Sequence, residues 1–201
     1  LDTLSCGLSL EMSAIPSFGA PLWTSPDGVV FDDPTAFDAT ATAPGEGEYT
    51  LIWTEDDGDG CTNSDTLYVS FYLKPHASIA VSDTVCGSQT TLEATAENGI
   101  YSWSQSLDLE LSDSGLTPMA TSVGFGDRWA AIEVVNGLCV ARDTAYFRFV
   151  PQPTADAGEA VSVCGDTAWL QPNPSIGDGA WILPPDLNVV AVGPEGQTQV
   201  T

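Results

Sequence analysis

The sequence predicts an all-β protein built as a tandem array of antiparallel β-sandwiches. Two observations predict the strands. Runs in which apolar and polar residues alternate, such as residues 65–71, recur along the chain, and 19 glycines and 14 prolines separate them at short intervals. Short strands with regular turns are typical of antiparallel sandwiches. A third observation, a repeated register of cysteine and tryptophan, predicts the array.

The repeated register begins with a Cys-Gly pair. The pair occurs at Cys6, Cys86 and Cys164, and a tryptophan follows each cysteine after 17 residues, at Trp23, Trp103 and Trp181. A second cysteine follows in two copies, as Cys61 and Cys139, and each is followed by three residues and then Asp-Thr. Matching landmarks at a fixed period indicate tandem domains. We expect repeats at residues 1–74 and 75–152, and the N-terminal part of a truncated third repeat at 153–201.

The tryptophan register predicts how each sandwich is arranged. Immunoglobulin-like domains bury a tryptophan of strand C between strands B and F. The leucines Leu10, Leu92 and Leu170 precede the three tryptophans by 11–13 residues, where the strand-B partner is expected. Tyr49, two residues after Gly47, is typical of the tyrosine corner that leads into strand F. We therefore expect tandem immunoglobulin-like sandwiches with Trp23, Trp103 and Trp181 as core pins.

Five cysteines at recurring positions predict disulfides and an oxidising compartment. A zinc site is disfavoured because there is no Cys-x-x-Cys motif and His76 is the only histidine. The A–B and F–G turns lie at opposite ends of such a sandwich, so one pairing joins Cys6 to Cys139 across the junction between successive domains. The other pairing, Cys6–Cys61 with Cys86–Cys139, requires a short or irregular first strand. We expect the partner of Cys164 to lie beyond residue 201.

The charge excludes several classes of partner. The chain has 28 acidic and four basic residues, a net charge of −24, which opposes binding to nucleic acid and to anionic membrane surfaces. Its 43% hydrophobic residues and six tryptophans distinguish it from acidic disordered chains. No apolar run is long enough for membrane insertion, and no signal peptide is present in this window. These features favour a secreted, highly solvated protein.

One acidic cluster is a weak candidate for calcium. Asp56, Asp57 and Asp59 alternate with glycines before Cys61, and clustered carboxylates can supply the six to eight oxygens that Ca²⁺ takes. The spacing does not fit the EF-hand loop, and the second repeat has Asn136-Gly137 at the equivalent place. We therefore expect a solvated F–G loop, with no metal and no other cofactor.

Catalytic and sugar-binding residues are poorly supported. No catalytic residue is predicted, because His76 lies in a proline-containing linker where nothing orients it as a base. The tryptophans outside the repeated register, Trp53, Trp129 and Trp169, are the candidates for an exposed sugar-stacking surface.

Two segments carry a family resemblance. Residues 155–167 and the Cys-x-x-x-Asp-Thr segments that close the first two repeats resemble PKD-like and Ig-like tandem repeats of very large Bacteroidetes surface proteins. Many of those proteins are exported by the type IX secretion system, and they include adhesins and surface filaments. Five Asp-Thr motifs also resemble the O-glycosylation acceptor motif of Bacteroidetes exported proteins, with Thr3, Thr66, Thr84, Thr144 and Thr167 as acceptors. The same motifs equally fit strand edges, where threonine is favoured and aspartate starts the strand.

The leading hypothesis is a structural or adhesive segment of a secreted, disulfide-stapled fibre or adhesin at the cell surface. Its partners would be neighbouring repeats and other copies of the same protein, with an extracellular surface or glycan as a further partner. The alternative is a carbohydrate- or surface-binding repeat attached to an exported enzyme. Longitudinal contacts between domains would favour the first, and an exposed aromatic strip would favour the second.

Overall fold

A computed structural model describes residues 3–173, 175–177, 179–193 and 197–201 of the chain. Within these residues it contains 19 β-strands and no helix, which confirms the all-β prediction. Consequently, no helix in the described part of the chain could cross a membrane. The chain divides into two compact units, Leu1–Phe149 and Val150–Thr201, which are described separately.

The first seven strands pair only with one another. They are β1 (Thr3–Cys6), β2 (Ser9–Glu11), β3 (Ala20–Thr24), β4 (Val30–Phe31), β5 (Thr40–Thr42), β6 (Gly47–Asp56) and β7 (Thr62–Tyr72). One sheet has the order β1-β7-β6-β3, and the other has the order β2-β5-β4. Strand β1 runs parallel to β7, whereas the other pairs are antiparallel. This is the arrangement of an immunoglobulin-like sandwich, with β2, β3, β6 and β7 as strands B, C, F and G.

Alternation along the strands builds the core of the first sandwich. On β6, Leu51 and Trp53 are buried, while the residues between and beside them are more exposed. Successive side chains of a strand point to opposite faces, so this pattern places one apolar row against the other sheet. The buried cluster consists of Met12, Trp23, Val29, Ala39, Ala41, Ala43, Leu51, Trp53, Val69 and Phe71.

The second sandwich repeats this plan over residues 76–150. Its strands are β8 (His76–Ala80), β9 (Thr84–Cys86), β10 (Gln89–Thr91), β11 (Glu93–Glu97), β12 (Ile100–Gln105), β13 (Leu109–Leu111), β14 (Met119–Ser122), β15 (Gly126–Asn136) and β16 (Cys139–Val150). The sheets have the orders β12-β15-β16-β9 and β10-β14-β13, and β11 pairs with β8. The buried cluster is Val85, Leu92, Leu109, Ala120, Ala130, Phe147 and Phe149, with Trp103 packed against it.

The described residues of the second compact unit form one small sheet. Strands β17 (Ala168–Leu170), β18 (Val189–Val192) and β19 (Thr198–Val200) pair in the order β17-β19-β18. This is the same order, first-third-second, as in the three-stranded sheets of the two sandwiches. Trp181 lies outside these strands and is half-buried, so its role as a core pin stays a prediction.

Candidate functional site

The first candidate site is a covalent junction between the two sandwiches. Cys6 and Cys139 form a disulfide with their Cα atoms 5.6 Å apart, although 133 positions separate them in the sequence. This is the junction pairing of the two that the sequence leaves open. The alternative, Cys6–Cys61 with Cys86–Cys139, is wrong because Cys139 is already bonded to Cys6.

Two tight turns bring these cysteines together. Strand β1 ends at Cys6, and Gly7 then adopts a φ of 117°, which favours glycine, while its N–H donates to the Tyr72 carbonyl at 2.9 Å. Strand β16 begins at Cys139 directly after a two-residue turn, in which Gly137 has a φ of 58°. Cys6 is thus at the end of the first strand of one sandwich, and Cys139 is at the F–G turn of the next.

Further contacts surround the disulfide. The turn packs so closely on the Tyr72 ring that a Cβ added to Gly137 would lie 2.5 Å from it. Asn136 donates from its side-chain amide to the Leu73 carbonyl at 3.0 Å, and Asn98 donates to the Lys74 carbonyl at 3.1 Å. The B–C and F–G turns of the second sandwich therefore both contact the end of the first sandwich. Such contacts restrict bending beyond what one flexible bond would.

The remaining cysteines form no disulfide among the described residues. Cys61, Cys86 and Cys164 are exposed thiols, and the expectation that all the cysteines of the first two repeats are bonded stays a prediction. Cys61 lies in the F–G loop of the first sandwich and Cys86 at the end of the first strand of the second, so each occupies the end that faces away from the Cys6–Cys139 junction.

The register tryptophans of the sandwiches share an anchoring hydrogen bond. Trp23 is 6% exposed, and its indole N–H donates to the Ala36 carbonyl at 3.1 Å. Trp103 is half-buried, and its indole N–H donates to the Gly115 carbonyl at 2.9 Å. Both therefore serve as structural groups whose polar atom is satisfied, as buried indoles require.

The tryptophans outside the register divide between core and surface. Trp53 is buried at 8% exposure and lies 4.8 Å from Trp23, measured between ring centroids. Trp129 and Trp169 are 36% and 43% exposed. Trp129 pairs directly across the sheet with Tyr146, which is 72% exposed. The outer face of the second sandwich thus presents an aromatic pair to solvent.

The predicted tyrosine corner is present, and the second sandwich replaces it with arginine. The Tyr49 hydroxyl donates to the Gly45 carbonyl at 3.0 Å. Arg128 stands two residues after Gly126, as Tyr49 does after Gly47, and its guanidinium donates to the Val123 carbonyl at 3.0 Å. Both side chains tie the start of strand F to the preceding loop.

The acidic F–G loop uses its carboxylates to hold its own backbone. One Asp57 oxygen accepts the N–H groups of Asp59 and Cys61, at 2.9 and 3.0 Å, and these bonds lower the pKa of Asp57. Asp56 accepts the N–H of Gly58 at 2.8 Å. Among the described residues, no three acidic, cysteine or histidine side chains are grouped so that they could hold a metal ion. The carboxylates of Asp56 and Asp57 thus cap the backbone of their own loop, and Asp59 contributes its N–H to this arrangement.

Glu55 has the most strongly shifted pKa among the described residues, and no repeated pattern in the sequence marks it. Its carboxylate accepts hydrogen bonds from the Ser17 hydroxyl and N–H, the Phe18 N–H and the Trp53 indole. These bonds, led by that of the Ser17 hydroxyl, lower the pKa of Glu55 to about 2. Glu55 also lines a cavity of about 600 Å³ next to Trp23. Because its oxygens are already occupied by four donors, we assign it a structural role in fastening the B–C loop.

We predict that Glu55 makes the stability of the first sandwich depend on pH. A carboxylate whose pKa is lowered by folding contributes stability above its unfolded pKa of 4.5 and loses it as the pH falls toward about 2. Glu55→Gln removes the titration and replaces one of the two acceptor oxygens by an amide donor. The melting temperature of the variant should therefore lie below that of the wild type at neutral pH, and the gap should close as the pH approaches about 2.

Ser17→Ala is the matched variant, since it removes one of the four donors and leaves the carboxylate in place. Its melting temperature should fall between those of the wild type and Glu55→Gln at neutral pH. A gap between wild type and Glu55→Gln that stays constant from neutral pH to about pH 2 would contradict the assignment.

The five threonines of the Asp-Thr motifs lie mostly at the surface. Thr66, Thr84, Thr144 and Thr167 are exposed and Thr3 is half-buried, while its neighbour Asp2 lies outside the described residues. In two motifs the aspartate accepts the N–H of its own threonine at 2.8 Å, as Asp65 does for Thr66 and Asp143 for Thr144. Exposure is compatible with glycosylation and with an edge position, so the acceptor assignment stays a prediction.

Comparisons with known proteins identify the fold. No family model and no curated protein matches the chain. The N-terminal eight Ig domains of Down Syndrome Cell Adhesion Molecule, isoform 1.30.30, are 14% identical with a TM-score of 0.54, covering 99% of this chain and 31% of that one. Extracellular domains 3–5 of Drosophila OTK are 10% identical with a TM-score of 0.46, covering 75% of this chain and 58% of that one. The chain thus spans less than two thirds of either structure.

Identities this low support the fold alone, and the predicted tandem immunoglobulin-like sandwiches are confirmed.

Proposed function

We propose that this chain is a structural and adhesive segment of a secreted, disulfide-stapled fibre or adhesin at the cell surface. The observation that carries the proposal is the bond between Cys6 and Cys139. A disulfide that joins successive domains has an obvious use where the domains must resist being pulled apart. It also forms and persists in oxidising compartments, which favours an extracellular location.

The position of the bond gives the proposal a mechanism. Tension between the two ends of the chain enters the first sandwich through β1 and leaves the second sandwich through β16. The disulfide connects Cys6 directly to Cys139, so the covalent path under tension bypasses residues 7–138. These residues include the core tryptophans Trp23 and Trp103. Both sandwiches can therefore stay folded while load passes through a single S–S bond.

Several further features support a surface array. The net charge of −24 keeps neighbouring chains from collapsing onto one another.

We propose that the array consists of repeats at residues 1–74, 75–152 and 153–201. We also propose that it belongs to the PKD-like repeats of Bacteroidetes surface proteins exported by the type IX system. Its partners would be neighbouring repeats and further copies of the protein. The similarity to a protein named as a cell adhesion molecule is consistent with this role.

Immunolabelling of intact cells tests the location. Antibodies raised against the chain should decorate filaments outside the cell in electron micrographs, without permeabilisation. The matched control is an antibody against a cytoplasmic protein of the same cells, which should label only after permeabilisation. Labelling of the chain that also requires permeabilisation would overturn the proposal. Glycan binding that is lost in Trp129→Ala and Tyr146→Ala variants would instead favour the carbohydrate-binding module.

A further inference from the structure

Cys86 occupies the same structural position as the bonded Cys6. Strand β9 ends at Cys86, and Gly87 follows with a φ of 95°, just as β1 ends at Cys6 and Gly7 follows with a φ of 117°. Strand β9 lies beside β16, as β1 lies beside β7. Cys86 is nevertheless an exposed thiol. The second sandwich therefore carries, as a free thiol, the counterpart of the cysteine that bonds the first sandwich to its neighbour.

Cys61 is the counterpart of the bonded Cys139. It directly precedes strand β7, at the F–G loop of the first sandwich, and Cys139 begins the equivalent strand β16. Its backbone is fixed on both sides by Asp57, which accepts the Cys61 N–H at 3.0 Å and donates its own N–H to the Cys61 carbonyl at 3.1 Å. The exposed thiol is thus held on an ordered turn.

The surroundings of Cys61 are those of an uncovered interface. At the equivalent end of the second sandwich, Tyr72 of the first sandwich covers Gly137. In the Cys61 loop, nothing lies within 4 Å of a Cβ added to Gly58 or Gly60. The adjacent B–C loop exposes Ile15 at 91% and Phe18 at 80%. Large apolar side chains held at the surface by an ordered loop are typical of a contact surface.

We propose that Cys61 and Cys86 each form a disulfide of the same kind as Cys6–Cys139. Each is bonded to a cysteine of an adjoining sandwich of the same repeat type. Cys86 bonds to an F–G-turn cysteine of an adjoining sandwich, which takes the place that Cys139 has beside Cys6. Cys61 bonds to a first-strand cysteine of the sandwich that precedes it, which covers Ile15 and Phe18.

The chemistry is ordinary thiol–disulfide exchange. The two cysteines lose two protons and two electrons as the S–S bond forms, and a disulfide-bearing oxidant of the exporting compartment is reduced to its dithiol. The same oxidant class is needed to form Cys6–Cys139, so no new reagent is introduced. Repetition of the bond would give each sandwich of the array a covalent path that carries tension past its folded core. The inference rests on the proposed function and deepens it.

Differential alkylation of the protein isolated from its source tests the inference. Thiols are blocked before reduction with one reagent and after reduction with a second, and unreduced digests are mapped by mass spectrometry. Cys61 and Cys86 should carry only the second label, and each should appear in a linked peptide whose other cysteine belongs to a different sandwich. The peptide joining Cys6 to Cys139 in the same digest is the internal control.

Variants of the full-length protein sharpen the assignment. Cys86→Ser should release one new thiol per chain, located in an F–G turn, and Cys61→Ser should release one thiol at the end of a first strand. First-label alkylation of Cys61 or Cys86 in the native protein would overturn the inference while leaving the proposed function intact. A peptide linking Cys61 to Cys86 would also overturn it, because the ends would then join to each other. Reduced Cys6 and Cys139 would overturn both the inference and the disulfide-stapled function.

Discussion

Serine at both Cys6 and Cys139 is expected to make the chain far more extensible under force. In the oxidised wild type, held by its two ends, residues 7–138 lie inside a covalently closed loop and carry no end-to-end tension. In the double variant the same residues come under load, and both sandwiches must unfold to bear it. Single-molecule pulling measures the difference directly as added contour length.

The size of the effect follows from chain geometry. An extended chain spans at most about 3.3–3.6 Å per residue, so releasing 133 positions adds roughly 430–470 Å. Little is subtracted for the folded starting distance, because the two Cα atoms are only 5.6 Å apart. The residues outside the loop stretch equally in both proteins and cancel from the comparison.

Two controls make the result specific to this bond. A reducing agent should give the wild type the extension of the double variant, whereas Cys61→Ser should leave the oxidised protein unchanged. Equal contour lengths for oxidised wild type and double variant would mean that the bond does not carry the load. The force-bypass mechanism would then be wrong.

The sequence could predict the repeat and its pins because these depend on spacing. The 17-residue interval between Cys6 and Trp23 recurs, and a recurring interval constrains the fold more strongly than any single residue does. Trp23 and the tyrosine corner at Tyr49 also depend on local patterns that immunoglobulin-like domains share. Both lie where these patterns place them.

Trp53 shows where the same reasoning fails. The tryptophan does not recur in the second repeat, so it was a candidate for an exposed surface, yet it is buried. Ile132 occupies the same place, six residues after Gly126 as Trp53 is six after Gly47, and is also buried. The position, rather than the residue type, is repeated. Alignment by apolar character instead of identity would have found it.

The contacts of Glu55 and the disulfide pairing could not be read from the sequence. Ser17 and Glu55 are 38 positions apart, and the second repeat has Val134 where the first has Glu55, so no recurrence marks the pair. The choice between Cys61 and Cys139 as the partner of Cys6 depends on which ends of two sandwiches meet. Such a choice depends on packing between domains, which spacing within one repeat does not encode.

Trp23→Ala is expected to destabilise the first sandwich by about 3–5 kcal/mol, the usual cost of truncating a buried aromatic side chain. Trp23 is almost fully buried, stacks on Phe31 at 5.8 Å and contacts Trp53 at 4.8 Å between ring centroids. The variant also leaves the Ala36 carbonyl without its indole donor. Because a typical domain is stable by only about 5–15 kcal/mol, a loss of this size is a large fraction of the total.

Two variants separate the causes. Trp23→Phe keeps most of the apolar volume but removes the hydrogen bond, so its hydrogen-bond loss alone should cost about 1 kcal/mol. Trp129→Ala truncates the same residue type on the outer face of the second sandwich, where the ring is 36% exposed, so it should cost clearly less than Trp23→Ala. Urea unfolding followed by circular dichroism measures all three, because the signal does not depend on which tryptophan remains. If Trp23→Ala unfolds at the same urea concentration as Trp129→Ala, Trp23 is not a core pin, and the repeated Cys-to-Trp interval must have another cause.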